Sequence, residues 1–319
     1  MANVTAARVT NLHERIKLIL GIGTGQFGYG QPIQSLPVSN QDNQDNFILA
    51  EDINSIYRDM INARVHQVGI TNATIAQLLK DSNVIAEDAS FFVDSVLGED
   101  GVLRGVESAD PDGSLKGIVD YENLMSTIEA ERALIHIPSQ AVLEAGISSR
   151  RESSWNGTLT HTVQVAFANA DERRYFFNAG GEIRISANLT SSLGDKGADW
   201  VNLLSEIGTV KFKSSDTITT GVGSTSAIGN YQLTQEYQLI YSKTGSGIYS
   251  ANIYTIQATE SPLDSNTILF KIQFNDAAMV GNIDNNVDGR LESTISQLRA
   301  DTVNVRVDGP SFSNISTLA

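Results

Sequence analysis

The sequence predicts an α+β protein: a mainly helical N-terminal part, then an antiparallel β-sandwich. Three observations carry this prediction. In several N-terminal segments apolar residues recur at intervals of three and four, as on one face of a helix. After about residue 150 apolar and polar residues alternate, as in strands with one solvent-facing side. Clusters of Gly, Asn and Asp separate these strands, which is typical of short antiparallel strands in a sandwich.

The first predicted helix covers about residues 4–20 and ends at Gly21 and Gly23. Its apolar stripe consists of Val9, Leu12, Ile16, Ile19 and Leu20. A connection rich in Gly, Asn and Gln follows over residues 21–46. A connection of this length without structure of its own is usually functional, mobile or held by a partner.

Further helices are predicted at three places before residue 140. The first has Asn46 as a cap and closes at Gly69, and its face is formed by Leu49, Ile53, Ile56, Tyr57 and Met60. A short one is expected over residues 71–80. Another is expected from about 114 to 135, where Pro138 stops it, and is lined by Ile118, Tyr121, Leu124, Met125 and Ile128.

The polar segment 148–154 predicts a domain boundary, with a helical docking domain over residues 1–150 and the sandwich over 151–319. Alternating strands are predicted at 159–167, 182–186, 268–274 and 303–307. One stretch departs from the alternation: residues 198–207 place Trp200, Leu203, Leu204 and Ile207 at helical spacing. We therefore expect a short helix that covers one end of the sandwich.

Composition limits the partners. The formal net charge of −15 and the absence of a basic patch argue against nucleic acid and against adsorption to an anionic membrane. No segment suggests a signal peptide or a membrane span, so a soluble protein is expected. The chain has no cysteine, which rules out disulfides and thiolate metal sites. We expect no cofactor.

No catalytic motif is visible. A Ser-His-Asp arrangement would have to use His13, His66, His136 or His161, and no Gly-x-Ser-x-Gly elbow places a serine. The glycine-rich stretch 21–30 lacks the Gly-Lys-Ser/Thr ending of a phosphate loop and follows a helix instead of a strand. We therefore predict no enzymatic activity, with hydrogen-bonded or exposed histidines in ordinary structural roles.

The best metal candidate is a calcium loop that begins at Asp284, Asn286 and Asp288, followed by Gly289. Ile295 stands where such a loop needs a bidentate Glu, and Glu292 comes three residues too early. The alternative is a plain Asn/Asp/Gly turn between two strands, and that interpretation is favoured.

Two aromatic groups are candidate interface residues. Phe27 and Tyr29 in the glycine-rich stretch would contact a neighbouring subunit. Arg173, Arg174 and Tyr175 would form a binding patch, because arginines and aromatics dominate interface hot spots. In the alternative interpretation, Phe176 or Phe177 anchors the core while the arginines remain in solvent.

The second half of the chain resembles a known β-rich module. The similar segments are 173–187, 200–204, 252–256, 271–276, 287–289 and 303–311. In this order they are similar to virion structural and tail-fibre proteins of contractile-tailed phages of cyanobacteria. The N-terminal half is similar to the same proteins, more distantly, through Gln26-Phe-Gly-Tyr-Gly-Gln31, Asp52-Ile-Asn54 and Val65-His-Gln-Val-Gly69.

This resemblance implies a virion component, made in the host cytoplasm, whose partners are other virion proteins. We expect a tail, baseplate or neck appendage or adaptor that acts by subunit assembly as a symmetric homo-oligomer. One alternative is a host-glycan binding module that uses loops around Gly221–Gly223 and Gly245–Gly247. The other is an enzyme that degrades cell wall or polysaccharide.

Overall fold

The computed structural model describes residues 6–37, 50–69, 95–97, 103–105, 118–278 and 286–319. The α+β class is confirmed, with helices first and strands mostly in the C-terminal part. The chain divides into a helical unit, Met1–Ala141 with Ala300–Val307, and a β unit, Val142–Arg299 with Asp308–Ala319. The division therefore falls at residue 141 and not at 150, because the polar residues up to Arg151 belong to a strand.

The helical unit contains helices α1 Ala6–Leu20, α2 Ala50–Val68 and α3 Ile118–Ala130, the short α4 Ile137–Gln140, and a hairpin of β1 Ser95–Leu97 and β2 Leu103–Gly105. The three long helices match the predicted ones, and the predicted helix over 71–80 lies outside the described residues. Their apolar stripes are buried within the unit, including Val9, Leu12, Ile16, Ile53, Met60, Ile118 and Met125. These stripes are therefore already covered within the chain.

The three long helices run in the same direction. Arg8 pairs with Glu122, and two turns further along both helices Arg15 pairs with Glu129. Because the two ion pairs share one sequence offset, α1 and α3 are parallel. Arg64 of α2 pairs with Glu131, which orients α2 in the same way.

The β unit contains the helices α5 Ala170–Asn178 and α6 Gly194–Ile207 and most of the strands. The strands are β3 Ala141–Arg151, β4 Gly157–Ala166, β5 Glu182–Thr190, β6 Val210–Phe212, β7 Thr217–Thr219, β8 Ser224–Thr225, β9 Gln238–Thr244, β10 Ile253–Ser261, β11 Asp264–Asp276, β12 Arg290–Ala300 and β13 Ser311–Ser316. Among the described residues they form two antiparallel sheets, ordered β13-β4-β11-β10-β9-β8 and β3-β12-β5-β6-β7.

Aromatic side chains fill the space between the two sheets. Phe212 of β6 meets Phe270 of β11 edge-on, with ring centroids 5.2 Å apart. At one end, Trp200 of α6 packs against Trp155 and Phe274 at 5.1 and 6.3 Å. The helix predicted at Trp200 is thus confirmed, and its apolar face closes this end of the core.

Hydrogen bonds close both sides of the sandwich. On one side the terminal segment joins β3, because Leu318 N donates to Ser149 Oγ at 2.8 Å and Arg151 donates to Leu318 O at 3.0 Å. On the other side Thr217 N of β7 donates to Ser226 O, just after β8, at 3.0 Å. These hydrogen bonds tie an edge of one sheet to an edge of the other on each side of the sandwich.

One prediction about local structure is corrected, and one helix was not predicted. The segment 303–307 is not a strand: Thr302 N and Val305 O close a tight turn, and Val303 at its tip is fully exposed. Val305 and Val307 are nevertheless buried, which explains the alternation in the sequence. Helix α5 was not predicted, although Asn169 caps it by accepting a hydrogen bond from Glu172 N at 2.9 Å.

Within the described ranges, no helix is both long enough and apolar enough to cross a membrane.

Candidate functional site

Tyr29 lies where the C-terminal ends of the three long helices meet. Its N–H donates to Ile19 O of α1 at 2.9 Å, and its hydroxyl donates to Arg132 O, just after α3, at 2.5 Å. Its ring packs edge-on against His66 of α2 at 5.2 Å. Burial raises the pKa of its hydroxyl, so the group remains a neutral donor.

Large apolar side chains remain exposed at this end of the helical unit. We call them the apolar end: Leu18, Ile22, Leu134 and Ile137, with exposed fractions of 39%, 72%, 48% and 43%. They flank the backbone positions that Tyr29 ties together. Leaving such side chains in water is unfavourable, so this end of the helical unit is a candidate contact surface.

The candidate interface residues Phe27 and Tyr29 are used within the chain. Tyr29 is 1% exposed and therefore belongs to the core of the helical unit. Phe27 is half-buried beneath the guanidinium of Arg132, whose carbon lies 4.7 Å from the ring centroid. Arg132 and the apolar end could not be identified from the sequence, because the residues that surround them in space come from segments far apart in the chain.

Arg173 is also an internal residue, 6% exposed, so neither the expected binding patch nor the alternative with an arginine in solvent fits it. Its guanidinium donates to Asn230 Oδ1, Glu260 Oε1 and Ser265 O at 2.7, 2.7 and 2.5 Å. Burial lowers its pKa and the charge of Glu260 opposes that shift. Arg173 thus fastens α5 to the loops and strands beside it.

Arg174 and Tyr175 form a separate stacked pair on α5. The Arg174 guanidinium carbon lies 5.0 Å from the Tyr175 ring centroid, and Arg174 also pairs with Asp171 at 3.0 Å. Phe176 and Phe177 are fully buried, which confirms the expectation that they anchor the core. Tyr175 is 8% exposed and the Arg174 side chain 15%, so the candidate patch of Arg173, Arg174 and Tyr175 lies mostly inside the β unit.

The structure brings Asp59, Ser35 and His13 together in the helical unit. Ser35 Oγ donates to Asp59 Oδ2 at 2.7 Å, and His13 Nδ1 lies 3.0 Å from the same hydroxyl. In acyl transfer the histidine stands between the serine and the carboxylate, whereas here the serine is in the middle. Ser35 is 0% exposed and burial lowers the pKa of His13, so the trio is a buried hydrogen-bonded link between α1 and α2.

An open cleft of about 630 Å³ lies on the β unit, between the ends of β3, β5 and β12. Its lining combines two carboxylates, two hydroxyls, a guanidinium and an exposed leucine: Glu152, Asp288, Ser154, Ser191, Arg290 and Leu193. Ser191 adopts a left-handed backbone conformation with φ 56°, which is costly for a residue other than glycine. Such a lining can hydrogen-bond a polar ligand such as a saccharide.

The two loops predicted to recognise glycan are held against α6. Val222 N donates to Glu206 O at 2.9 Å, and Ser246 Oγ donates to Asp199 Oδ1 at 2.7 Å. The cleft therefore offers a different surface from these loops.

The calcium candidate is only partly described, since Asp284 lies outside the described residues. The Asn286 side-chain oxygen accepts a hydrogen bond from Asn156 Nδ2 at 2.9 Å, and Asp288 lines the cleft. In the part of the chain that the structure describes, no three residues of His, Cys, Asp or Glu lie close enough to hold a metal ion together.

Comparisons with protein-family models, with curated proteins and with solved structures each found no match to this chain.

Proposed function

We propose that the chain is a structural component of a phage virion, an appendage or adaptor of the tail, baseplate or neck that acts by subunit assembly. The observation that carries the proposal is the apolar end of the helical unit. Burying one large aliphatic side chain on association is worth about 1.5–3 kcal/mol. The exposure of these four side chains therefore favours a permanent complex with a partner over an isolated monomer.

The β unit supports an assembly role in a second way. Its sheets are joined along both sides, and the capping helix α6 is fixed by the buried residues Trp200, Leu203 and Leu204. Such a closed sandwich can carry contacts on its outer surface without opening. The resemblance of the β unit to virion and tail-fibre proteins points the same way.

The direct test is to look for the protein in purified particles of the phage that encodes it. Mass spectrometry of the particles should find the protein at a fixed ratio to the other virion proteins, and labelled antibody should mark one symmetric position. A chain that is abundant in the infected cell and missing from purified particles would sink the proposal.

A variant test addresses the apolar end. Changing both Ile22 and Leu134 to Asp should prevent incorporation into particles, because a carboxylate would be buried against an apolar partner surface. The matched control is Leu263→Asp, which alters a leucine that is 95% exposed in the turn between β10 and β11. Equal incorporation of both variants would contradict docking through this end.

The cleft on the β unit favours host-glycan binding as the second candidate function. Carboxylates and hydroxyls accept and donate hydrogen bonds to sugar hydroxyls, and Leu193 offers an apolar contact for a sugar ring. A glycan array is the test: a specific signal that is lost in Asp288→Asn and retained in Asp264→Asn would favour this function. An array without signal would leave assembly as the better supported proposal.

A further inference from the structure

Lys196 of α6 and Asp276 at the end of β11 form an ion pair inside the β unit. Lys196 Nζ lies 2.7 Å from Asp276 Oδ2, and the two side chains are 3% and 0% exposed. Trp200 follows Lys196 by one helical turn, and Phe274 lies on the same face of β11 as Asp276. The Trp200 and Phe274 rings are in contact, so the pair lies in aromatic surroundings.

Such surroundings make it costly to bury the pair in its ionised form. Taking an ammonium and a carboxylate out of water costs more than their attraction commonly returns. Burial raises the pKa of Asp276, although the hydrogen bond and charge of Lys196 and the Trp200 indole act in the opposite direction. Transfer of one proton from Lys196 to Asp276 gives a free amine in contact with a carboxylic acid, and these are the reactive forms for amide formation.

We propose that Lys196 and Asp276 condense to an intramolecular amide that links α6 covalently to β11. The lone pair of the neutral Lys196 Nζ attacks Asp276 Cγ, and a bond forms between these two atoms. The bond from Cγ to the protonated oxygen then breaks, and this hydroxyl leaves as water with a proton from the amine. The reaction needs no oxidant, reductant or further reactant, and it removes both buried charges.

Neighbouring groups are placed to assist. Trp200 Nε1 and Asp276 Oδ1 are both buried without a hydrogen-bond partner among the described residues, and the indole is close enough to the carboxyl to lower its pKa, so a small shift would let its N–H stabilise the negative charge that develops on the remaining oxygen. Asp199 lies on the same face of α6, three residues after Lys196, and is 7% exposed. Its Oδ1 accepts from Ser246, while its buried Oδ2 accepts no hydrogen bond from the described residues.

The amide would act as a permanent covalent cross-link in a protein that has no cysteine and so no disulfide. It would close the chain between residues 196 and 276, which reduces the conformational freedom of the unfolded state as a disulfide does. The proposal is independent of the proposed function, because it rests only on this pair and its surroundings.

The test is the intact mass of the folded, purified wild-type protein. The expected mass lies one water molecule below the mass of the sequence, and digestion should yield a branched peptide in which Lys196 is joined to Asp276. Lys196→Arg should have the full mass of its own sequence, because guanidinium does not react. Lys243→Arg, which alters the ion pair with Glu206, should still lack one water.

Two results would overturn the proposal. One is a wild-type protein with the full mass of its sequence and with Lys196 cleaved by trypsin like other lysines. The other is a loss of water that maps to a single linear peptide, which would identify a cyclised Asp elsewhere. Both are measured on the wild-type chain, so poor folding of a variant does not affect the outcome.

Discussion

His161 of β4 and Ser293 of β12 join the two sheets through a buried hydrogen bond of 2.9 Å between the imidazole Nδ1 and the serine hydroxyl. The other ring nitrogen, Nε2, lies 2.9 Å from Asn314 Oδ1 of β13. Since an amide oxygen only accepts, Nε2 carries the proton and Nδ1 accepts from Ser293. One neutral imidazole thus connects three strands.

This connection predicts a pH dependence of stability. Burial lowers the pKa of His161 below 6.5, although the hydrogen bond to Asn314 acts the other way. The unfolded chain therefore binds the proton more readily than the folded one. The stabilisation is complete above about pH 6.5 and is lost as the pH falls through the folded pKa. Denaturant unfolding at several values between about pH 5 and pH 8 measures it.

The control for this prediction is His161→Gln, which cannot titrate. The free energy of unfolding of the variant should change less with pH in this range than that of the wild type. His13, whose pKa is also lowered by burial, contributes equally to both proteins. Identical pH profiles would show that His161 is not responsible.

Arg173→Ala should destabilise the protein by about 3 kcal/mol or more, because Glu260 and Asn230 would lose their buried partner. The neighbouring Arg174→Ala removes a pair with the 62% exposed Asp171 and should cost about 1 kcal/mol. Thermal and denaturant unfolding of the two variants compares them directly. A larger effect at Arg174 would mean that the Arg173 pair does not hold α5 in place.

Gly289→Ala tests the wall of the cleft. Gly289 has φ 119°, and an added Cβ would lie 2.7 Å from Thr190 O. We expect a loss of stability of at least about 2 kcal/mol, from backbone strain together with the clash. At Gly157, with φ 72° and no atom within 4 Å of an added Cβ, the same change should cost only about 1 kcal/mol. Equal costs would indicate that the end of β5 at Thr190 shifts readily to accommodate the added Cβ.

Tyr29→Phe removes the hydroxyl that joins the segment after α1 to the end of α3. The Arg132 carbonyl would lose its donor, so a loss of about 1–1.5 kcal/mol is expected. Tyr237→Phe, at a tyrosine that is 36% exposed, should be close to neutral. Unfolding curves of both variants provide the measurement, and a neutral Tyr29→Phe would show that this hydrogen bond adds nothing.

Local patterns in the sequence predicted most of the helices and several of the strands. The spacing of Trp200, Leu203 and Ile207 predicted α6, and alternation predicted β4, β5 and β11. Helix α5 carried a signal that was overlooked, since Asn169 and Glu172 stand at capping positions three residues apart. Edge strand β3 was not predicted. Both faces of an edge strand are largely exposed, so its sequence resembles that of a polar linker.

The sequence by itself determined the α+β class, the three amphipathic helices and the alternating strands, because these depend on spacing between near neighbours. Only the tertiary structure decided that the helices run parallel, that residues 300–307 return to the helical unit, and that Arg173 and Tyr29 are internal. It also placed Lys196 against Asp276, and His161 against Ser293. These pairs join residues that are far apart in the chain, and their choice depends on how whole elements pack together.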